Sequence, residues 1–138
     1  MNDEATSTES ATEGLLTGAR IVVVDDDIDI ADSMRLALTT EGAQVRIVSD
    51  GNAAVRTILD DKPDLVVLDM MLPKRSGFLV LEQIKGYEDS PIVIMVTANE
   101  GKRHQTYAES VGVDRYLQKP VPLTLLIETV KELLDARR

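Results

Sequence analysis

The chain of 138 residues contains no cysteine and no tryptophan. Without cysteine it can form neither a disulfide bond nor a thiolate metal site, which permits a reducing compartment. No apolar run approaches the roughly 20 residues that a membrane-spanning helix needs, and the N-terminus lacks the basic and apolar segments of a secretory signal. We therefore expect a cytoplasmic protein with no membrane contact.

Aromatic residues and positive charge are also scarce. Aromatic residues make up 3% of the sequence, so its core must be aliphatic, and the hydrophobic total of 43% is enough for one domain. The 15 basic residues are outnumbered by 24 acids, for a net charge of −9. Nucleic-acid binding depends on neutralising phosphates with basic side chains, so we expect no direct contact with nucleic acid.

The first 18 residues differ in composition from the rest of the chain. They are rich in Ser, Thr, Glu and Ala, and they hold four acids and no basic residue. This composition predicts a mostly disordered acidic tail over residues 1–18, with a docking arm as the alternative, and a folded domain over residues 19–138.

Short apolar runs alternate with helical periods from Arg20 onward. The apolar runs predict five strands, at Ile21–Val24, Val45–Val48, Leu65–Leu68, Ile92–Val96 and Arg115–Gln118. The helical periods predict five helices, at Ile28–Thr40, Asn52–Asp60, Ser76–Lys85, Gly101–Ser110 and Pro122–Ala136. No hairpin signal separates the strands. The alternation predicts an α/β fold with a parallel sheet covered by helices on both faces.

Polar residues follow four of the predicted strands. Asp25 and Asp26 follow the first, Asp69 the third, Thr97 the fourth and Lys119 the fifth. Because the carboxyl ends of parallel strands share one edge of the sheet, where ligands bind, these side chains should converge. Each of these signals alone is usually a loop, a turn or a helix cap, and Asp27 or Asp29 is expected to cap the next helix.

The convergent set suits magnesium-assisted phosphoryl transfer. Neighbouring carboxylates repel, and Mg²⁺, which prefers oxygen ligands, relieves that repulsion. Asp69 would then be a nucleophile beside the metal, since aspartates form acyl phosphates. The Thr97 hydroxyl and the Lys119 ammonium would stabilise the oxygens of the transferring group.

Four segments together resemble the receiver domain of two-component response regulators. These segments are VVVDDD, LVVLDMMLP, IMVTA and YLQKP, each in the family's order and on the corresponding strand. The resemblance covers about Arg20 to Arg137. It implies the flavodoxin-like (βα)5 fold of the chemotaxis type, with five parallel strands in the order 2-1-3-4-5.

The resemblance also implies roles for individual residues. Asp69 resembles the phosphoacceptor, and Asp25 and Asp26 resemble the acidic pair that holds Mg²⁺, with Asp26 as the expected direct ligand. Met71 would offer its backbone carbonyl to the metal. Its side chain and that of Asn99 occupy places that tune the phosphoryl lifetime in the family.

Three further residues match the family's switch and its fifth strand end. Thr97 resembles the hydroxyl that senses the phosphoryl group, and Tyr116 the aromatic residue that moves with it. Lys119 resembles the lysine that pairs with the phosphoryl group, and Pro120 would follow a cis peptide bond. In contrast, His104 has no partner at a ligand spacing, so we expect it to be solvated.

The resemblance further implies partners. A histidine kinase or a histidine phosphotransfer protein would donate the phosphoryl group. Autodephosphorylation would follow, so the chain would act as a self-modifying signalling domain and not as an enzyme. A downstream protein would bind the face of the fourth helix, fifth strand and fifth helix. Because no output domain follows, we expect the output to be a protein–protein contact.

Two alternatives use the same residues. A Mg²⁺-dependent phosphohydrolase with an aspartyl nucleophile usually has a second acid two residues further on, where this chain has Met71, and it usually carries a cap domain. A receiver-like interaction module that works without phosphorylation usually lacks one of the acids, the threonine or the lysine, all of which are present here.

Overall fold

The computed structural model describes residues 14–98 and 101–137, so residues 1–13, Asn99, Glu100 and Arg138 lie outside the description. Its strands are β1 (Arg20–Val24), β2 (Gln44–Val48), β3 (Leu65–Asp69), β4 (Ile92–Thr97) and β5 (Arg115–Gln118). Its helices are α1 (Ile28–Thr40), α2 (Gly51–Asp61), α3 (Gly77–Lys85), α4 (Lys102–Val111) and α5 (Leu123–Arg137). Each predicted element is confirmed to within two residues at its ends.

The five strands form one parallel sheet in the order β2-β1-β3-β4-β5, as the resemblance implied. The strand order reverses beside β1, which pairs with both β2 and β3. Ligands bind at such a switch point in open α/β sheets. The polar residues that follow β1 and β3 therefore lie at the expected position for a site.

A separate apolar layer covers each face of the sheet. Helices α1 and α5 pack on one face, and α2, α3 and α4 pack on the other. The first layer is entirely aliphatic. Every aromatic residue of the chain belongs to the second layer or contacts it: Phe78, Tyr87, Tyr107 and Tyr116. Strands β3 and β4 are buried along their whole length, as expected for central parallel strands.

The first helix begins where a capping aspartate was predicted. Asp27 is the N-cap of α1, and its carboxylate accepts hydrogen bonds from the backbone N–H groups of Asp29 and Ile30. The other four predicted helix starts are each corrected by one residue. Helices α2 and α5 begin at Gly51 and Leu123, and Ser76 and Gly101 are N-caps and not helical residues.

The described end of the predicted tail is packed against the domain. The side chain of Leu16 is 2% exposed and belongs to the core layer under α1 and α5. Its backbone N–H donates to the carbonyl of Glu41, at 2.8 Å. The remaining tail prediction, for residues 1–13, lies outside the described residues.

The prediction of a solvated His104 was wrong. Its ring lies against Phe78, with ring centroids 5.6 Å apart. Its Nδ1 is buried and has no hydrogen-bond partner among the residues that the structure describes. Sequence spacing missed this contact because Phe78 lies on a different helix, α3.

Candidate functional site

The ends of β1, β3, β4 and β5 bring the predicted polar residues to one edge of the sheet. Asp25 and Asp69 are 3% and 5% exposed, and Thr97 is fully buried. The Lys119 Nζ lies 2.9 Å from Asp25 Oδ2 and 3.5 Å from Asp69 Oδ1. One ammonium group therefore bridges two buried carboxylates that come from neighbouring strands.

Asp26 completes a group of three carboxylates. Single carboxylate oxygens of Asp25, Asp26 and Asp69 all lie within 4.8 Å of one another, a spacing that one metal ion can bridge. Asp26 is exposed, whereas the other two are buried. This donor set is all oxygen and includes one solvent-facing ligand, which suits Mg²⁺ because that ion keeps several of its waters.

The two oxygens of Asp25 are already engaged. Oδ1 accepts a hydrogen bond from the backbone N–H of Asp27, at 2.9 Å, and Oδ2 accepts one from Lys119. Asp26 has no comparable bond among those found in the described part of the chain. The oxygens of Asp25 are thus engaged by other groups of the chain, whereas Asp26 faces solvent.

Met71 contacts the site through its backbone. Its N–H donates a hydrogen bond to the carboxylate of Asp69, which the sequence had not indicated. Its side chain is 67% exposed. The segment that follows β3 thus contacts Asp69 through its main chain and leaves the thioether in contact with solvent.

Burial and charge set the ionisation of this group. Desolvation by burial, followed by the charge of Asp25, raises the pKa of Asp69 above 3.8, against the opposing effects of Lys119 and the Met71 N–H. Burial on its own would lower the pKa of Lys119, but the hydrogen bond to Asp25 and the charges of both aspartates outweigh it and raise that pKa above 10.5.

These shifts predict how stability depends on pH. Because the pKa of Asp69 is higher in the folded chain, its protonated carboxyl group stabilises the fold. This contribution to the free energy of unfolding is fully present below pH 3.8 and is lost as the pH rises through the folded pKa. Without metal, Asp69→Asn should therefore raise the free energy of unfolding near neutral pH, and this gain should shrink towards about pH 4. Urea unfolding of both proteins over that range, with EDTA present, measures the difference. A gain that did not depend on pH would refute this explanation.

Thr97 and Tyr116 lie on the adjoining strands β4 and β5. The hydroxyl of Tyr116 is buried, has no hydrogen-bond partner within residues 14–98 and 101–137, and its pKa is raised by burial. The N–H of Lys119 donates to the carbonyl of Thr97, at 2.8 Å, which ties the two strand ends together. The peptide bond between Lys119 and Pro120 is cis, as the resemblance implied.

No helix in the described ranges is both long and apolar enough to cross a bilayer. The predicted role of Asn99 in tuning the phosphoryl lifetime falls outside those ranges.

Comparison with known proteins agrees with the fold. The family profile described as "Response regulator receiver domain" matches residues 21–131. The curated protein "Response regulator MprA" of Mycolicibacterium vanbaalenii is 36% identical over 115 residues, which are 83% of this chain and 50% of that protein. The chain thus spans about half the length of the curated relatives it matches.

Two solved structures illustrate the structural likeness. A CheY-like receiver domain protein from Methanospirillum hungatei is 32% identical, with a TM-score of 0.82 over 86% of this chain and 94% of that one. The Mn²⁺-bound form of response regulator Rcp1 is 25% identical, with a TM-score of 0.71 over 83% and 91%. The family match, the MprA relationship and the strand order lead to one conclusion: this chain belongs to the response regulator receiver domains.

Proposed function

We propose that this receiver domain accepts a phosphoryl group from a phosphohistidine onto Asp69 in a Mg²⁺-dependent reaction. One observation carries the proposal: the buried Asp69 carboxylate lies beside two other carboxylates and 3.5 Å from an ammonium group. The three carboxylates repel one another while no metal is bound. A divalent cation relieves that repulsion, and the ammonium group can then pair with an oxygen of the phosphoryl group.

The metal would be held by Asp26, Asp69 and the backbone carbonyl of Met71, with Asp25 in support. When bound, Mg²⁺ would neutralise charge on the carboxylates and on the phosphoryl oxygens. The similar Rcp1 structure contains Mn²⁺, another divalent ion that suits carboxylate ligands. We extend that likeness to this chain on the strength of its three carboxylates.

In the transfer, an oxygen of Asp69 forms a bond to phosphorus as the P–N bond of the phosphohistidine breaks. The electron pair of that bond returns to the imidazole nitrogen, and the product is an acyl phosphate on Asp69. Lys119, which is charged at neutral pH, would pair with one phosphoryl oxygen, and the Thr97 hydroxyl would donate to another. Water would later hydrolyse the acyl phosphate. Because the chain modifies itself, we class it as a signalling domain and not as an enzyme.

The donor would be a histidine kinase or a histidine phosphotransfer protein. Phosphorylation would draw Thr97 towards the phosphoryl group and shift Tyr116, whose hydroxyl has no partner within the described residues. This is a population shift between two packings. It would alter the face formed by α4, β5 and α5, where we propose that a downstream protein binds. We place these events in the cytoplasm, without direct contact between this chain and nucleic acid or membrane.

Both alternatives are less well supported. The position of the second acid in an aspartyl phosphohydrolase holds Met71, whose side chain cannot serve as a general acid. Burying two carboxylates around a lysine costs free energy. A module that works without phosphorylation would gain no activity in return for that cost.

The metal requirement gives the direct test. With acetyl phosphate as donor, the chain should gain one phosphoryl group only when Mg²⁺ is present. Asp26→Asn should raise the Mg²⁺ concentration needed for half-maximal phosphorylation by about 10-fold or more, because a charged ligand becomes neutral. Intact-protein mass spectrometry across a Mg²⁺ series measures both effects.

The matched control is Asp27→Asn, one residue further along the chain. Asparagine caps helices as well as aspartate does, so this variant should keep the wild-type Mg²⁺ requirement. If Asp26→Asn also kept it, the metal site would be misplaced. If the wild type gained no phosphoryl group from either acetyl phosphate or a phosphohistidine protein, the proposed function would be wrong.

A further inference from the structure

The segment between β3 and α3 packs against the start of α2. The backbone N–H of Gly51, the first residue of α2, donates to the carbonyl of Pro73, at 3.1 Å. The N–H of Arg75 donates to the same carbonyl, at 2.7 Å. The β3–α3 loop, defined as residues 70–76, therefore contacts the first residue of a different helix, α2.

This contact leaves no room for a side chain at Gly51. A Cβ placed there would lie 2.0 Å from the carbonyl oxygen of Arg75, 2.5 Å from its Cβ and 2.7 Å from its carbonyl carbon. Gly51 does not have a positive φ, so its backbone conformation does not itself require glycine. Glycine is needed here because the loop backbone approaches so closely.

The loop is held equally tightly at its other end. The N–H of Gly77 donates to the carbonyl of Met70, at 2.8 Å, and a Cβ on Gly77 would lie 2.3 Å from the carbonyl oxygen of Asp69. Between the two contacts, Lys74 has a φ of 70°, a backbone conformation that is strained for a residue other than glycine. Such a conformation persists only where surrounding contacts hold it in place.

Met71 lies within this clamped loop, and its N–H donates to the Asp69 carboxylate. A main-chain group can be positioned only through the path of the chain, because it has no rotamers of its own. The contacts that hold the loop therefore also fix the Met71 backbone relative to Asp69.

We propose that Gly51 is a positioning residue for the phosphorylation site: its lack of a side chain lets the β3–α3 loop seat against α2 and so places the Met71 backbone for metal binding. This inference rests on the proposed function, since it assigns Gly51 to the same site. It differs from the roles implied by the resemblance, because Gly51 lies at the start of α2 and not at the end of a strand.

The test is Gly51→Ala, compared with the wild type and with Gly86→Ala. Gly86 caps the end of α3 with a φ of −79°, and a Cβ there would make only ordinary contacts, at 3.4 Å or more. We expect Gly51→Ala to weaken Mg²⁺ binding about 10-fold, as loss of a supporting contact typically does. Calorimetric titration with Mg²⁺ alone measures this without any phosphoryl donor.

Two further readouts separate positioning from a general loss of stability. In Gly51→Ala, excess Mg²⁺ should restore most of the maximal phosphorylation rate. Without metal, amide shift changes in NMR spectra should be confined to residues near 50–52 and 69–77. All measurements would be made at temperatures where circular dichroism shows both variants to be fully folded.

A second variant keeps the test informative if Gly51→Ala does not fold. Arg75→Gly instead removes the loop side chain whose Cβ approaches Gly51. Arg75 is half-buried and does not belong to the buried core, so this change leaves the core side chains in place. It should weaken Mg²⁺ binding in the same direction by a few-fold. Wild-type Mg²⁺ affinity in whichever of these variants fold would overturn the inference. Normal Mg²⁺ binding without phosphorylation in the wild type would instead refute the proposed function.

Discussion

Asp69→Asn should gain no phosphoryl group from acetyl phosphate or from a phosphohistidine protein, at any Mg²⁺ concentration. The amide matches the carboxylate in shape but lacks the charged oxygen that attacks phosphorus. Because burial and the charge of Asp25 raise the pKa of Asp69, the neutral amide should also stabilise the metal-free chain near neutral pH. Intact mass after incubation with each donor measures the result.

The control for this experiment is again Asp27→Asn. Asp27 follows the acidic pair, and its side chain caps α1 through the N–H groups of Asp29 and Ile30. It should be phosphorylated at the wild-type rate. Labelling of Asp69→Asn at an undiminished rate would contradict the central proposal, because another residue would then have to accept the phosphoryl group.

The strands and the polar residues at their ends were predictable because both depend on local sequence. Leu65–Asp69 is a short apolar run that ends in an acid, and such a run in an alternating α/β chain predicts a buried parallel strand with a functional end. The same argument, applied to β1, β4 and β5, correctly placed Asp25, Thr97 and Lys119 at one edge. The strand order came only from the resemblance, since alternation alone does not specify it.

Several contacts in the fold and near the site were not predictable, because they join separate segments of the chain. Leu16 looked like part of a polar tail, yet it fills a gap in the layer under α1 and α5. His104 looked like a solvated residue of α4, yet its ring packs on Phe78 of α3. The sequence pattern did not single out Gly51, and the need for glycine there follows from the close approach of the Arg75 carbonyl. For His104 and Gly51 the deciding partner lies on a different element, at least 24 residues away along the chain.

Lys119→Met should destabilise the metal-free chain by about 3 kcal/mol, the usual cost of leaving a buried charge without its partner. Lys119 is the only basic side chain within ion-pair distance of Asp25 or Asp69 among the described residues. Methionine keeps the length of the lysine stem, so packing changes little and the loss reports on charge. Urea unfolding near neutral pH, with EDTA present, gives the free energy of unfolding of each variant.

A double-mutant cycle with Asp25→Asn isolates the cause. Asp25 forms the shorter ion pair with Lys119, at 2.9 Å, and also raises the pKa of Asp69. Neutralising Asp25 should therefore recover a large part of the stability lost in Lys119→Met. Saturating Mg²⁺ should also recover part of that loss in Lys119→Met alone. Additive losses would mean that Lys119 stabilises the chain through packing alone. Coupled losses would show that this lysine offsets carboxylate repulsion in the resting site, which leaves it positioned to pair with a phosphoryl oxygen.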